Sequence, residues 1–578
     1  MTTQYDVIHA MKLDNQDENI LHGQHPFAFW ARANAADTPT LKEAMESPDR
    51  EGFINAMHGE ISTLESFGVW KIVPRQKAID ERRTIISSTW SFKRKRFPDG
   101  KVKKLKARLC VRGDQQTADL DYFETFSPVV QWTTIRLMLI LSILLDLKTV
   151  QVDYTLAFAQ APAPPGTYVE MPKMFEQKGM VYELQKNLYG LCEASKNFYN
   201  HLKKGLTDRG LKPSKHDYCM FYLEGKDPVV VLTYVDDCIF FARKASSIKH
   251  LIQSLRKIPE SKIGVWDEFI LNEEDDYAGF LGIDISQSED VPGAIELLQI
   301  GPIDRVLDVL GLNKENTHQR NEPASSVPLG KDEDGPLRRE DWSYASVIGM
   351  LLYLSSNSRP DIAFAVHQAA RFTHCAKLSH ETTIKRIGRY LKATKDRGLV
   401  MKPSSTLSLE LFADADFAGL WSIEQASDPI SVKSRTGYII TLGDVPVTWS
   451  SKLQTEIATS TMHAEYVALS SGMRELLPVK GTLEHICQIF DIDRDSKAKV
   501  IRVWEDNEGA VKLATGPVEK VTPHSKHFGV KYHWFREKIN DLKIVIKHVR
   551  TDIQKAEILT KGLSSKEFQS KRKLIMGW

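Results

Sequence analysis

Cysteine is scarce in this chain, and no two cysteines stand close together. Six occur among 578 residues (Cys110, Cys192, Cys219, Cys238, Cys375 and Cys487), none in a C-x-x-C pair. That excludes a zinc ribbon or knuckle, offers no disulfide framework, and suits a reducing compartment. Net charge is nearly absent too: 77 Lys and Arg stand against 75 Asp and Glu, for +2. Whole-chain charge therefore says nothing for or against a polyanionic partner, and local distribution must decide. Long apolar runs are missing. The best, Leu137 to Leu147, is too short to span a bilayer and contains Asp146, so it reads as a buried helix. Met1 to Gln16 is polar and acidic, unlike a signal peptide. The expectation is a cytoplasmic protein with no membrane partner. No repeat of solenoid period is visible, and the length suggests about three or four domains.

What is present is organised in blocks. Residues 1–65 read as a helical, charged lead-in, with a capped helix from Leu41 after Thr38-Pro39-Thr40 and a second over Met57 to Phe67. From Trp70 to about Arg112 the pattern alternates and is basic. Lys93, Arg94, Lys95, Arg96, Lys101, Lys103, Lys104, Lys106, Arg108 and Arg112 face a single acid, Asp99, in the turn signal Pro98-Asp99-Gly100. This hairpin is either a solvated charged surface or a grip on phosphates. Thr133 to Leu147 and Ser195 to Arg209 read as helices, and Thr149 to Phe158 as a strand into a turn. Residues 313–341 are polar, with scattered Pro and Gly, and read as a linker. Helical material follows from Tyr344 to Leu391.

Tyr234-Val235-Asp236-Asp237 lies between two apolar runs, Val229 to Tyr234 and Cys238 to Ala242. Adjacent carboxylates on an apolar hairpin repel and cannot be buried without a partner. Either they are only a turn, or a divalent cation resolves the cost. Asp153, closing the apolar strand Thr149-Val150-Gln151-Val152, adds a third carboxylate, and three on neighbouring strands suit a two-metal site.

Farther on, Leu407, Leu409, Leu411 and Ala413 alternate into Asp414-Ala415-Asp416. Strand-like Thr436 to Leu442 and Val445 to Ser450 follow, then a helix capped by Ser460-Thr461 that carries Glu465. A strand over Val500 to Trp504 runs into Glu505-Asp506-Asn507, and Ile544 to Val549 precedes a short helix holding Glu557. The order of three strands, helix, strand, helix, strand, helix is an α/β pattern with acids at element ends. Asp414, Glu465, Asp506 and Glu557 are candidates for a second two-metal site, although acids also favour helix starts and turns for other reasons.

Several stretches resemble the reverse transcriptase of copia-type LTR retrotransposons. They are Lys106-Ala107-Arg108-Leu109, Glu124-Thr125-Phe126-Ser127-Pro128-Val129-Val130, Asp153 with Ala157-Phe158, Leu188-Tyr189-Gly190-Leu191, Tyr234 to Asp237, and Phe280-Leu281-Gly282. Ile348 to Leu354, Ser358 to Ile362 and Arg386 to Leu391 resemble that family's connecting stretch, read as structural. In it Arg359 and the Lys385, Arg386 and Arg389 face are either solvated or in contact with a duplex. Ala413 to Gly419, Ser434 to Tyr438, Ala464 to Ala468, Glu505 to Asn507 and Ile558 to Lys561 are similar to the family's nuclease.

The resemblance implies a multidomain α+β and α/β chain. A right-hand polymerase (fingers, palm and thumb) over 66–312 would precede the linker, a connection segment over 342–403 and a ribonuclease H-like α/β domain over 404–578. Its implied partners are an RNA template, a DNA primer, an RNA–DNA hybrid and dNTPs. Each active site would take two Mg²⁺ (or Mn²⁺), held by Asp153, Asp236 and Asp237 in one and by Asp414, Glu465, Asp506 and Glu557 in the other. Arg108 would hold the triphosphate with a nearby lysine, Phe158 would exclude a ribose 2′-hydroxyl, and Tyr234 would touch substrate. The family would place the chain in a virus-like particle or the nucleus. Departures stand at Cys192-Glu193-Ala194-Ser195-Lys196, where the family has Lys-Gln-Ala-Pro-Arg, at His463, where it has an acid, and at Glu557, where it has Asp. With no protease or integrase motif upstream, the second reading is a decayed remnant that at most binds nucleic acid.

Overall fold

The computed structural model describes residues 37–96, 102–117, 125–262, 265–274, 278–423, 428–493, 499–516 and 533–578. The turn Pro98-Asp99-Gly100, Glu124 and the first 36 residues of the lead-in lie outside these. The described residues form two compact units, one within Asn34–Val130 and Thr149–Asp276, the other within Gln131–Lys148 and Tyr277–Trp578.

In the unit built from 34–130 and 149–276, helix α1 (Leu41–Glu46) starts at Thr40. The Thr40 side chain accepts from Glu43 N, and Glu43 reaches back to Thr40 N at 2.8 Å, a capping box. Helix α2 (Arg50–Ser66) buries Phe53, Met57, Ile61 and Leu64. The basic stretch is the antiparallel hairpin β1 (Ser88–Arg96) and β2 (Val102–Val111). Period-2 alternation sends Trp90, Phe92, Ala107, Leu109 and Val111 into the core and leaves Lys93, Lys95, Lys103, Lys104 and Arg108 exposed. The buried face packs on α2, with the Phe53 and Phe92 rings 5.1 Å apart. Arg94 is drawn off the cationic face by Asp49 at 2.7 Å.

The central sheet of this unit has six strands. In order they are Leu271–Glu274, β3 (Lys148–Tyr154), β5 (Asp237–Ala242), β4 (Val229–Tyr234), Met220–Leu223 and Lys212–Pro213. Helix α3 (Ala194–Asp208) buries Phe198, Leu202 and Leu206 in the core that also holds Val152, Val231 and Phe240. The chain before α3 runs close beside β2. Val111 N donates to Tyr189 O at 2.7 Å, and a Cβ on Gly190 (φ +95) would lie 2.1 Å from Val111 O. Gly190→Ala therefore faces both a backbone clash and left-handed strain, and should lose about 2–4 kcal/mol of stability or fail to fold. A urea midpoint equal to that of the wild type would refute this.

In the other unit, strands Ala278–Phe280, Ile283–Gln287, Ile295–Leu298 and Leu399–Met401 form one sheet. Helices Tyr344–Asn357, Ala363–Ala370 and Leu378–Ala393 lie in the chain between its third and fourth strands. Arg359 is 1% exposed and bound to Asp361 at 2.7 Å, with Tyr390 donating to the same carboxylate. It is thus walled off from any duplex, and the duplex-contact alternative fails for it. Lys385 and Arg386 are engaged by Glu381 and Glu322, both at 2.6 Å.

The C-terminal sheet runs β8 (Val445–Leu453), β7 (Arg435–Leu442), β6 (Leu409–Asp416), β9 (Ile501–Glu505), β10 (Ile544–His548). The first three strands form an antiparallel meander, and β9 and β10 add in parallel. Helix α4 (Thr461–Ile489) is capped by Ser460, whose side chain accepts from His463 N at 3.1 Å. It packs on β6 and β7, and Leu411 lies against Gly472. The short helix expected at Glu557 is a single 3₁₀ turn, Glu557–Leu559; helix α5 (Ser565–Met576) follows.

The helix Trp132–Leu144 belongs to this unit although its sequence neighbours belong to the other. Its buried Arg136 donates to the carbonyls of Val447 (2.9 Å), Ser356 (2.5 Å) and Asn357 (2.8 Å) and lies 4.2 Å from the Trp449 ring centroid. Among the described residues, no helix is long and apolar enough to cross a membrane.

Candidate active sites

The first candidate site is at the tip of the six-stranded sheet. Tyr234 pairs with Asp237 across β4 and β5, leaving Val235-Asp236 as a two-residue turn. Val235 has φ +56, a strained value for a β-branched residue. The turn carries Asp236 toward the neighbouring strand, where Tyr154 N donates to Asp236 O at 3.2 Å. Asp153, just before Tyr154, thereby comes next to both acids.

Burial first, then Asp236, Asp153 and Glu274, push the Asp237 carboxyl up to about 7. Burial and Asp153 also raise Asp236, with Arg108 and its own backbone opposing. These three do not close to the spacing of a ready-made cation site: among the described residues, only one group of three ligand atoms lies mutually within 4.8 Å, and it is elsewhere. The site is nonetheless one of unreconciled negative charge, the condition that a cation relieves.

Arg108 and Phe158 meet this site through a residue to which the sequence had assigned no role. Tyr189 lies under the Arg108 guanidinium at 5.0 Å and takes the edge of the Phe158 ring at 5.1 Å. Burial pushes its hydroxyl up to about 12, with Asp236 and Asp153 adding to the rise and Arg108 opposing it. The motif Leu188 to Leu191 had marked its position, and an aromatic before a close-packed glycine was the available signal. Phe158 also faces Phe198 at 6.4 Å, so its ring bridges two cores. Of the lysines near Arg108, Lys106 stands out. Burial, then Lys95, Arg108 and Lys104, lower it to about 8. In the departing loop, Cys192 N donates to the Gln116 side chain at 2.9 Å, and its thiol to Gly113 O at 3.2 Å.

The second candidate site is the group that does close. Asp414 near the end of β6, Glu465 in the second turn of α4 and Asp506 just after β9 bring ligand atoms within 4.8 Å of one another. Parallel pairing of β6 with β9 aligns the two strand ends, and α4 crosses them. Asp416, the alternative to Asp414, lies two residues on and is not part of the group. Burial, then Asp506, push Asp414 up to about 7, while Thr560 Oγ1 donates to it.

Glu505 adjoins this group, and the sequence reading gave it no role. It is fully buried, and burial together with Asp506 and Asp414 holds it well above the usual carboxylate range. Glu465 is raised likewise, by burial and then by Glu505. Glu465 Oε2 and Glu505 Oε2 are both buried without a hydrogen-bond partner. A carboxylate oxygen orphaned at depth fits a cation ligand or a shared proton. Glu557 does not enter the group. Its carboxylate is clasped by Lys571 at 2.6 Å and Lys561 at 2.9 Å.

Residues 67–322 match the family described as reverse transcriptase (RNA-dependent DNA polymerase). Over 534 residues the chain is 30% identical to the retrovirus-related Pol polyprotein from transposon RE1 of Arabidopsis thaliana, covering 92% of this chain and 34% of that protein. Over 549 residues it is 30% identical to the corresponding polyprotein from transposon TNT 1-94 of Nicotiana tabacum, covering 93% and 38%. A solved foamy viral protease–reverse transcriptase in complex with double-stranded DNA aligns over 86% of this chain and 69% of its own, with 12% identity and a TM-score of 0.43. The chain thus contains a reverse transcriptase domain. Over most of its length it is similar to the Pol polyproteins of copia-type retrotransposons, and it spans about a third of the length of the relatives it matches.

Proposed function

We propose that this chain copies RNA into DNA at Asp153, Asp236 and Asp237, and cuts the RNA strand of the resulting hybrid at Asp414, Glu465 and Asp506. The observation that supports the first activity most is the placement of Asp153 and Asp236-Asp237 on adjoining strands of the sheet inside the matched domain. The nuclease reading rests on the closed group at the ends of β6 and β9, in a sheet of three antiparallel and two parallel strands backed by α4. That is the α/β layout expected of a ribonuclease H-like domain.

Both donor sets are all-oxygen carboxylates, which fit Mg²⁺ or Mn²⁺, and in the second they are also closely spaced and partly orphaned. When bound, such ions supply the Lewis acidity that activates a 3′-hydroxyl or a water and offsets charge on the departing oxygen. The remaining work falls to the chain. Arg108, braced on Tyr189, offers a planar fork to an incoming triphosphate. Lys106 is the nearby lysine best suited to join it, since crowding by other cations is relieved by a phosphate. Phe158, with its ring edge-on to Tyr189 and Phe198, discriminates against a ribose 2′-hydroxyl by clash. Tyr234 flanks the acids at the mouth of the turn. RNA template, DNA primer, hybrid and dNTPs are the partners this reading requires.

A pH dependence follows. Asp237 and Asp414 sit near 7 in the folded, metal-free chain, against a usual value near 4. The folded state then binds more protons than the unfolded one between those values, so stability falls as pH rises from about 4 to about 7 and levels above. Mg²⁺ or Mn²⁺ competes with those protons. The rise in melting temperature on adding Mn²⁺ should therefore be larger at pH 8 than at pH 5.5, measured by scanning fluorimetry against EDTA. Equal rises at both pH values would contradict carboxylate ligation. The direct test of the polymerase is Mg²⁺- or Mn²⁺-dependent extension of oligo(dT) on poly(rA). No extension under conditions where a related enzyme extends would favour the decayed-remnant reading.

A further inference from the structure

The unit that contains the C-terminal sheet also has a pocket of about 400 Å³, lined by none of the candidate acids. Arg320, Arg397 and Arg572 line it, with the side-chain amides of Asn321 and Gln569 and the ring of Trp578; no carboxylate is among its lining residues. The arrangement is built. Trp578 Nε1 donates to Gly398 O at 2.7 Å, which fixes the indole. The Arg572 guanidinium then lies 4.1 Å from the ring centroid and that of Arg397 5.6 Å. Arg572 Nε is buried without a hydrogen-bond partner. Arg320 has no hydrogen-bond or ion-pair partner among the described residues. Arg397 meets Asp290 at 3.4 Å, a pair in which both side chains are half exposed or more, and one such contact leaves most of its five donors open. The nearby Arg359 adds no net charge, because Asp361 neutralises it.

Three guanidiniums gathered with only one well-exposed acid, Asp290, at their edge repel one another, and an anion with several oxygens removes that cost. Guanidinium forks match phosphate geometry, and amides complete the set of donors. The volume lies at the small end of the range for ligand pockets, about 300–1,000 Å³, which is ample for a nucleoside monophosphate and generous for phosphate alone. We propose that this pocket binds a phosphoryl group carried on a nucleotide, either free or as a unit of a single strand. The inference stands on the pocket alone and does not depend on either catalytic reading.

The test is calorimetric titration of the full chain in EDTA, so that metal held by carboxylates recruits no phosphate. The titrants are dTMP, thymidine, inorganic pyrophosphate and short oligo(dT). Wild type should bind dTMP and not thymidine, and pyrophosphate should compete. The double variants Arg320→Ala/Arg397→Ala and Arg320→Gln/Arg397→Gln should each weaken dTMP binding at least about tenfold, with the unfolding midpoint unchanged. If oligo(dT) binds more tightly than dTMP and loses the same factor in the variants, the phosphate is that of a strand; if dTMP and pyrophosphate equal it, the ligand is free. Thymidine binding as well as dTMP, no dTMP binding to wild type, or folded variants that bind like wild type would overturn the proposal.

Discussion

Asp236→Asn is expected to lower primer extension on poly(rA)/oligo(dT) by at least about a thousandfold, while melting slightly above the wild type in EDTA. The two halves of this expectation come from the same geometry. Asp236 sits in a turn whose backbone is strained at Val235, beside Asp153 and Asp237, and its carboxyl is already raised by burial and by Asp153. An amide of the same shape removes one charge from that crowd, so the metal-free fold gains. It also removes a ligand oxygen and the charge that retains a divalent cation, so the reaction loses. Conversion of stability into activity in this way marks a functional site, since natural sites accept strain that packing alone would remove. The check is a paired measurement: extension rate with Mn²⁺, and melting temperature in EDTA. A variant that still extends primers within tenfold of wild type would remove Asp236 from the chemistry. A variant that is inactive but strongly destabilised would make its role structural.

Much of this site was legible because it depends on local pattern. The apolar runs around Asp236-Asp237, the alternation in β1 and β2, and the caps at Thr40 and Ser460 are set by neighbours within a few residues. What escaped the sequence depends on distant partners. The helix Trp132–Leu144 reads correctly as buried, but its membership of the C-terminal unit rests on Arg136 reaching carbonyls at Ser356, Asn357 and Val447. Arg359 looked available to a duplex until Asp361 and Tyr390 closed around it. Tyr189 gained meaning only once the chain at Gly190 was laid against β2. Glu505 is different, because a local signal was there. In β9, Ile501 and Val503 are buried while Arg502 and Trp504 are less so, which puts Glu505 on the inward side. The alternation was readable, and it said that the acid before Asp506 is the deeper of the two.

Asp414→Asn should abolish cleavage of RNA in an RNA–DNA hybrid, a loss of at least about a hundredfold, while leaving primer extension intact. Glu557→Gln should cost far less cleavage and more stability. The contrast follows from what holds each carboxylate. Asp414 has one donor, Thr560, and otherwise faces Asp506 and Glu465 across less than 4.8 Å, so its charge is left for a cation. Glu557 is nearly buried and faces Lys571, itself nearly buried, at 2.6 Å, with Lys561 on its other side. Removing one member of a buried pair strands the other charge, a cost of about 3 kcal/mol or more. The lysine at 561 stands one helical turn beyond Glu557 in sequence, but Lys571 reaches it from α5 only in the fold. The pairing also gives a reason for Glu at a position where the family has Asp: the longer side chain reaches two lysines. Thr560 ties the two positions together, since its hydroxyl lies within donating reach of both the Asp414 carboxylate and the backbone carbonyl of Glu557. Loosening Glu557 should therefore shift Asp414 without removing it, and cleavage should fall only severalfold. Hybrid cleavage, primer extension and urea midpoints for the two variants decide the matter. Should Glu557→Gln match Asp414→Asn in lost cleavage at unchanged stability, Glu557 is a ligand after all and the lysine clasp opens when the metal binds.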